Sequence, residues 1–296
     1  KPSTITIEGM AERKRNAAEK CVVNYNFFIG ATNTNLDALN DVENVPGIKI
    51  FMGSSTGDLL VSDTKDLDNI FGNGSRLIAV HAEDDDIINA AQEIYKNSTD
   101  FNHHQFVRPA DAALKATTLA VELSIKYQRR LHILHLTTLD EVRYLEIQKS
   151  KAPISAEVCP QHFLLSAPHV YQKLGAYAQM NPPIRDLQHG EALWDGLVNG
   201  VIDCIATDHA PHTHEEKAKP FGQAPSGMPG VETSLPMLLD RTNRGLCKIE
   251  DVVKWMCEMP VELYKVKNKG YIKEGYDADL VLVDMGKKRT VENGKL

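Results

Sequence analysis

The sequence predicts an α/β fold of the TIM-type (β/α)8 kind, and three observations predict it. Short apolar runs alternate with stretches of helical length from residue 21 to residue 206, the pattern of a parallel sheet covered by helices. Several of those runs end in a residue able to do chemistry, namely Lys49, His81, His135 and Asp208. In a β/α barrel such residues converge on the C-terminal face, where the active sites of that fold lie. The third observation is the stretch Ile205-Ala-Thr-Asp-His-Ala-Pro-His-Thr-His-Glu-Glu-Lys217. There an apolar run stops at an aspartate, and Pro211 stiffens the turn that carries His212. Taken singly, a D-x-x-x-H spacing is equally compatible with a helix-capping aspartate and exposed histidines; the other strand ends weigh against that reading.

The elements follow in order. Residues 7–20 read as a helix and Cys21 to Phe28 as a strand. Gly30-Ala-Thr-Asn leads into a short helix over 36–42, and Gly47 to Gly53 is a strand bracketed by glycines. A helix over 64–71 precedes the strand Arg76 to His81. Helical stretches follow at 84–96 and 109–127, with Pro109 suited to a first helical position. Leu131 to His135 is a strand, 139–148 a helix, Pro153 to Val158 a strand, 187–198 a helix and Val201 to Ala206 the sixth strand. Helices over 231–244 and 249–267 come next. Asp277 to Asp284, isolated behind Gly270 and Gly275, reads as a strand of a small appended β unit. The expected domains are therefore 1–268, a barrel, and 269–296, remnants of a β-sandwich.

The chain has 296 residues, 42% hydrophobic and 25% charged, with a net charge of −7. That balance argues against nucleic acid or an anionic membrane as the main partner. No apolar run approaches the ~20 residues needed to span a bilayer. Five cysteines without a C-x-x-C pair read as reduced thiols in a cytoplasmic protein.

Histidine with carboxylate suits zinc or a related divalent ion, which lowers the pKa of bound water to about 7. His81 and His135 taken alone are equally compatible with satisfied strand-end histidines. Lys49 in an apolar strand is harder to dismiss, because a buried ammonium without a partner is costly. It must be paired, depressed in pKa, or chemically altered, for instance by CO2 to a carbamate.

The sequence resembles the dihydroorotases of the amidohydrolase superfamily. The resemblance runs through Gly47-Ile-Lys-Ile-Phe-Met-Gly-Ser-Ser-Thr-Gly57, Val80-His-Ala-Glu-Asp84, His132-Ile-Leu-His-Leu-Thr-Thr138, Asn181-Pro-Pro-Ile-Arg185, Ala206-Thr-Asp-His-Ala-Pro-His-Thr213, Pro225-Ser-Gly-Met-Pro-Gly-Val-Glu-Thr233 and Gly275-Tyr-Asp-Ala-Asp-Leu280. It implies one or two zinc ions, or another divalent metal. Lys49, carboxylated by CO2, would bridge them, His81 and His135 would hold the second, and Asp208 would bind the first and shuttle the proton. Asn181 and His212 would contact substrate, and Pro229 and Gly230 would offer backbone groups to its ring. His132 is expected on the other face of its strand, His162 beside the site, His103, His104, His189 and His214 at the surface, and Glu83 and Asp84 at a helix start.

One departure stands out. The family's first strand carries a His-x-His pair and a nearby Arg, and no such pair lies upstream of Lys49. If Cys21 to Phe28 is strand three, the four strand-end residues fall on strands four, five, six and eight, so strands one and two are expected to be missing. The last residues, from Gly286 onward, match nothing in the family.

The implied reaction is reversible hydrolysis of L-dihydroorotate to N-carbamoyl-L-aspartate in pyrimidine biosynthesis. An allantoinase or hydantoinase is the close alternative, and a non-catalytic structural partner of a pathway-enzyme assembly the distant one. The resemblance further implies a small-molecule substrate, no membrane partner and a homodimer.

Overall fold

Six strands pair in the order in which they occur in the chain, all parallel, in the computed structural model, which describes residues 3–53 and 59–292. The elements are α1 (Ile7–Lys20), β1 (Ile29–Gly30), α2 (Leu36–Asp41), β2 (Ile48–Phe51), α3 (Thr64–Gly72), β3 (Ile78–His81), α4 (Asp85–Tyr95), α5 (His104–Val107), α6 (Ala110–Tyr127) and β4 (Leu131–Ile133). They continue with α7 (Leu139–Gln148), β5 (Ile154–Val158), α8 (Pro160–Leu164), α9 (His169–Leu174), α10 (Leu187–Val198), β6 (Cys204–Ile205), α11 (His214–Lys217), α12 (Ser234–Asn243), α13 (Ile249–Val253) and α14 (Met259–Tyr264). A doubly wound sheet would reverse its strand order part-way. Here each strand lies beside its predecessor, and α3, α6, α7 and α10 pack in succession outside. This is the wall of a β/α barrel, as the alternation predicts.

Alternation along each strand divides the side chains. Ile48 and Ile50 of β2 are fully buried and join the core formed with Leu67, Ile70 and Phe71 of α3, while Lys49 and Phe51 are half-buried. Gly47 and Gly53 bracket β2 because β3 runs too close for side chains. A Cβ at Gly47 would lie 2.5 Å from the Leu77 carbonyl oxygen, and one at Gly53 2.1 Å from that of Glu83.

Local chemistry starts several helices, α4 and α7 where the sequence places them and α8 where it placed none. Asp84 accepts from Ile87 N at 3.1 Å and opens α4. Thr138 and Glu141 form a reciprocal capping box on α7, and Pro160 occupies the first turn of α8.

Three strand expectations need correction. Residues 21–28 form no strand: Cys21 closes α1 through its N–H to Ala17, and Val22 and Val23 lie at the surface. The ladder begins one step later because Ile29 and Gly30 are what pair with Ile48 and Lys49. Val201 and Ile202 belong to a turn, with Ile202 N bonded to Gly196 O, which shortens β6. Asp277 to Asp284 is not a strand either. It has no ladder partner among the described residues, Leu280 to Leu282 are exposed, and Lys269 holds it through Asp277 and Asp279. An apolar run becomes a strand only where another backbone completes its hydrogen bonds.

Candidate active site

His81 ends β3, whereas His135 lies two residues beyond β4 and Asp208 three beyond β6. The last two adopt left-handed backbone, with φ +39° at His135 and +46° at Asp208. Such conformations cost about 1–3 kcal/mol each and persist where the surroundings impose them. Their effect is to turn each side chain at the end of its strand. Lys49 stands inside β2, not at its end, with its Nζ 4.4 Å from the Phe51 ring centroid.

These elements bring the four residues together. Nδ1 of His81 faces Nε2 of His135 at 3.1 Å, with the rings edge to face. Burial pushes both imidazoles below their usual range. His81 is partly pulled back by Glu83, and His135 is driven further down by His81 and Lys49. Both are therefore neutral at physiological pH, the form that ligates metal. Burial lowers Lys49 to about 7, against the opposing pull of the Asp208 and Glu157 carboxylates. Desolvation raises Asp208, and Lys49 counteracts it. Nδ1 of His135 is buried without a hydrogen-bond partner.

Glu83 is the residue beside the candidate site that sequence reasoning misplaced. It does not begin α4; Asp84 does that. Glu83 is wholly buried, and its Oε2 accepts from Nε2 of His81 at 2.8 Å. Arg108 grips the same carboxylate through Nε at 3.1 Å and through its terminal nitrogen. Burial opposes the charge on Glu83, yet Arg108 and His81 hold its carboxyl far below the usual range. An ionised Glu83 fixes the proton of His81 on Nε2 and leaves Nδ1 as the lone pair aimed at His135. Arg185 extends the scaffold, donating to Thr137 Oγ1 at 3.1 Å and to the Arg108 carbonyl at 2.9 Å. The available signals were the Glu in Val80-His-Ala-Glu-Asp84 and the Arg in Asn181-Pro-Pro-Ile-Arg185, neither readable without burial.

Of the residues expected to meet substrate, Asn181 has its Oδ1 3.0 Å from His104 Nε2, which also donates to Met180 O at 2.9 Å. His104 is buried, not superficial, and burial followed by Arg108 lowers it to about 4. His189 is likewise half-buried, and its Nδ1 accepts from Leu139 N at 3.0 Å at the start of α7. His162 is buried near His135 and donates to Pro182 O at 3.1 Å. His103 is half-buried on Ser98, and His214 bonds Tyr177 at the surface. His212 donates through Nε2 to Ser226 O at 3.1 Å, with Nδ1 3.5 Å from Glu216. The N–H of Gly230 is taken by His209 Nδ1 at 3.1 Å, so His209 anchors the Pro229–Gly230 loop. Lys217 clamps the same region, donating to the carbonyls of Ala176, Gln179 and Pro225. Residues Ser54 to Gly57 of the glycine-bracketed motif lie outside the described residues.

His132 does not lie on the face away from the interior. It bonds Ser155 and Glu157 across the ladder, and Glu157 in turn acts on Lys49 and Asp208. His135 reaches the site because the backbone turns after Ile133, not because alternation separates it from His132.

Two neutral imidazole nitrogens converge beside a lysine of lowered pKa, which in turn feels the Asp208 carboxylate, and imidazole donors of this kind suit a divalent cation. The first ion of the resemblance finds only Lys49 and Asp208 in this chain, since no His-x-His precedes Lys49.

Comparison with known proteins agrees with this geometry. The profile of the amidohydrolase family matches residues 74–295 and so, against expectation, takes in the residues from Gly286 onward. Archaeal dihydroorotases match at 31–37% identity. That of Methanosarcina acetivorans is 32% identical over 96% of this chain and 63% of its own length. An allantoinase of Streptomyces avermitilis is 30% identical over all of this chain and 67% of its own. Among solved structures, L-hydantoinase (dihydropyrimidinase) from Arthrobacter aurescens superposes with a TM-score of 0.88 at 29% identity, covering 94% of this chain and 64% of that one. The chain thus spans about two thirds of the length of these relatives. With the sequential parallel sheet, the converging His81, His135, Lys49 and Asp208, and the profile match over most of its length, the chain belongs to the amidohydrolase family.

Proposed function

We propose that the chain carries the catalytic barrel of a dihydroorotase, which interconverts L-dihydroorotate and N-carbamoyl-L-aspartate in pyrimidine synthesis. The observation that carries this reading is the approach of His81 to His135, with Lys49 acting on both imidazoles and on Asp208, together with relatives named dihydroorotase.

His81 and His135 would hold a zinc-class cation. Glu83 and Arg108 keep the His81 lone pair aimed at it. A bound ion of this class supplies Lewis acidity and makes hydroxide available near pH 7. Lys49, with its pKa lowered to about 7, has a neutral amine available to react with CO2. The N–C bond forms, a proton leaves, and the donor becomes an anionic oxygen ligand. Asp208 takes the proton of the attacking water and passes it to the leaving amide nitrogen, a role that its raised pKa suits. His104 orients the carboxamide of Asn181, and His212 exchanges its bond to Ser226 for the substrate carboxylate. The complete set in this chain serves one ion, with Lys49 and Asp208 reaching toward a second.

We place the protein in the cytoplasm, where its free cysteines are stable. No helix among the described residues is long and apolar enough to cross a membrane.

The test is turnover of L-dihydroorotate, hydantoin and allantoin by the zinc-loaded protein. Preference for dihydroorotate supports the reading. Preference for hydantoin, which the likeness to L-hydantoinase favours, would replace it with the cyclic-amide alternative. Binding of carbamoyl aspartate without turnover of any substrate would favour the non-catalytic partner.

A further inference from the structure

A second cluster of metal-binding side chains sits on the interior side of β4, β5 and β6. The ladder places His132 opposite Ser155 and Glu157 opposite Cys204. Ser155 and Glu157 are two apart on β5, so His132, Glu157 and Cys204 share one face of three adjacent strands. All three are buried, and one donor atom from each lies within 4.8 Å of the other two. Strand backbone, not loop, therefore fixes their spacing.

The hydrogen bonds at His132 leave its tautomer free to suit a cation. Ser155 Oγ lies 3.2 Å from the Leu131 carbonyl and 2.9 Å from Nδ1 of His132, so its one proton can serve either. With that proton on Nδ1, Nε2 of His132 donates to Oε2 of Glu157 at 2.9 Å. With it on the carbonyl, Nδ1 donates to Ser155 and the Nε2 lone pair faces Glu157, the arrangement in which a cation fits. A shared proton or a cation can then occupy the space between them. The neighbouring thiol of Cys204 distinguishes these cases. A proton between His132 and Glu157 gives Cys204 no part, whereas a cation recruits it.

We propose that His132 Nε2, the Glu157 carboxylate and Cys204 Sγ form a binding site for a thiophilic divalent cation of the zinc class, separate from the His81–His135 centre. Binding displaces the thiol proton to solvent and forms the metal–sulfur bond. The thiolate and carboxylate contribute two negative charges against the two positive charges of the ion, and the imidazole contributes none. The loaded site is neutral, as a dry interior demands. Drawn from three adjacent strands, it has a structural role in joining β4, β5 and β6.

The test measures metal content and the cobalt spectrum of the 296-residue protein. The double variant Lys49→Ala/His81→Ala removes the centre described above. Equilibrated with Co2+ or Zn2+ and freed of excess, it should retain one equivalent per chain, and the cobalt form should show a thiolate-to-cobalt charge-transfer band. Cys204→Ser should abolish both band and equivalent, while Cys159→Ser keeps them. Glu157→Gln, which preserves volume if Cys204→Ser misfolds, should weaken zinc retention against a chelator by more than the ~10-fold typical of losing an outer hydrogen bond. Absence of a retained equivalent in the double variant, or a band that survives Cys204→Ser, would overturn the proposal. Loss of cyclic-amide hydrolysis in Lys49→Ala bears only on the proposed function and leaves this readout unchanged.

Discussion

Glu83 lies two residues beyond His81 in the chain, and its carboxylate meets the His81 ring at 2.8 Å on the side away from His135. The pair is anchored by Arg108, which reaches Glu83 from 25 residues further on. A buried carboxylate held between a guanidinium and an imidazole fixes both the tautomer and the direction of that imidazole.

Substituting Glu83→Gln preserves volume and one acceptor but removes the charge. Metal affinity at the His81 centre should fall about 10- to 100-fold, read by competition with a chromogenic chelator. Glu83→Ala should instead destabilise the fold by about 3–5 kcal/mol, because Arg108 is left buried without its partner. An unchanged affinity in Glu83→Gln would make the carboxylate a mere fold element.

Lys49→Ala should abolish binding at the centre it helps to build, with the loss seen in metal content as well as turnover. A short carboxylic acid with bicarbonate should restore part of both, because a small carboxylate can replace the anionic oxygen but not an ammonium. Full metal content in Lys49→Ala would leave this lysine as a packing residue beside Phe51.

His104 should give the metal-free protein a pH-dependent stability. Its folded pKa is about 4 against about 6.5 in an unfolded chain. Between these values the unfolded state binds the proton and the folded state does not, so stability falls as pH drops from 6.5 toward 4. The slope is up to about 1.4 kcal/mol per pH unit. Urea midpoints of wild type and His104→Gln across that window should diverge, with the variant flatter. Parallel curves would assign the acid sensitivity elsewhere.

On the proposed function, His212 distinguishes among cyclic-amide substrates. A charge-assisted hydrogen bond to a substrate carboxylate contributes about 1.5–3 kcal/mol. His212→Ala should therefore raise KM for dihydroorotate roughly ten- to a hundredfold and scarcely affect hydantoin, which has no carboxylate. Equal losses on both would mean that His212 acts through Ser226 and the substrate loop.

Much of the site was legible because the signal is local. A buried strand is an apolar run, and a residue able to do chemistry breaks that run near its end, so the candidates His81, His135 and Asp208 announce themselves. Asp84 is legible for the same reason, since a helix start is satisfied by side chains within three residues of it. Glu83 has the same composition and neighbourhood as a capping residue. Only its burial against Arg108 separates the two roles.

The sequence by itself determined the alternation of strands and helices, the parallel sheet that this alternation requires, and the residue types offered at the strand ends. These follow from periodicity and capping, which act over a few residues. The tertiary structure alone decided which apolar runs find a partner strand, withholding one from residues 21–28 and from Asp277 to Asp284. It also decided which polar groups meet out of water: His104 with Asn181, Arg108 with Glu83, and His132 with Glu157 and Cys204. Backbone pairing and desolvation depend on what lies alongside in space, and segments far apart in the chain supply it.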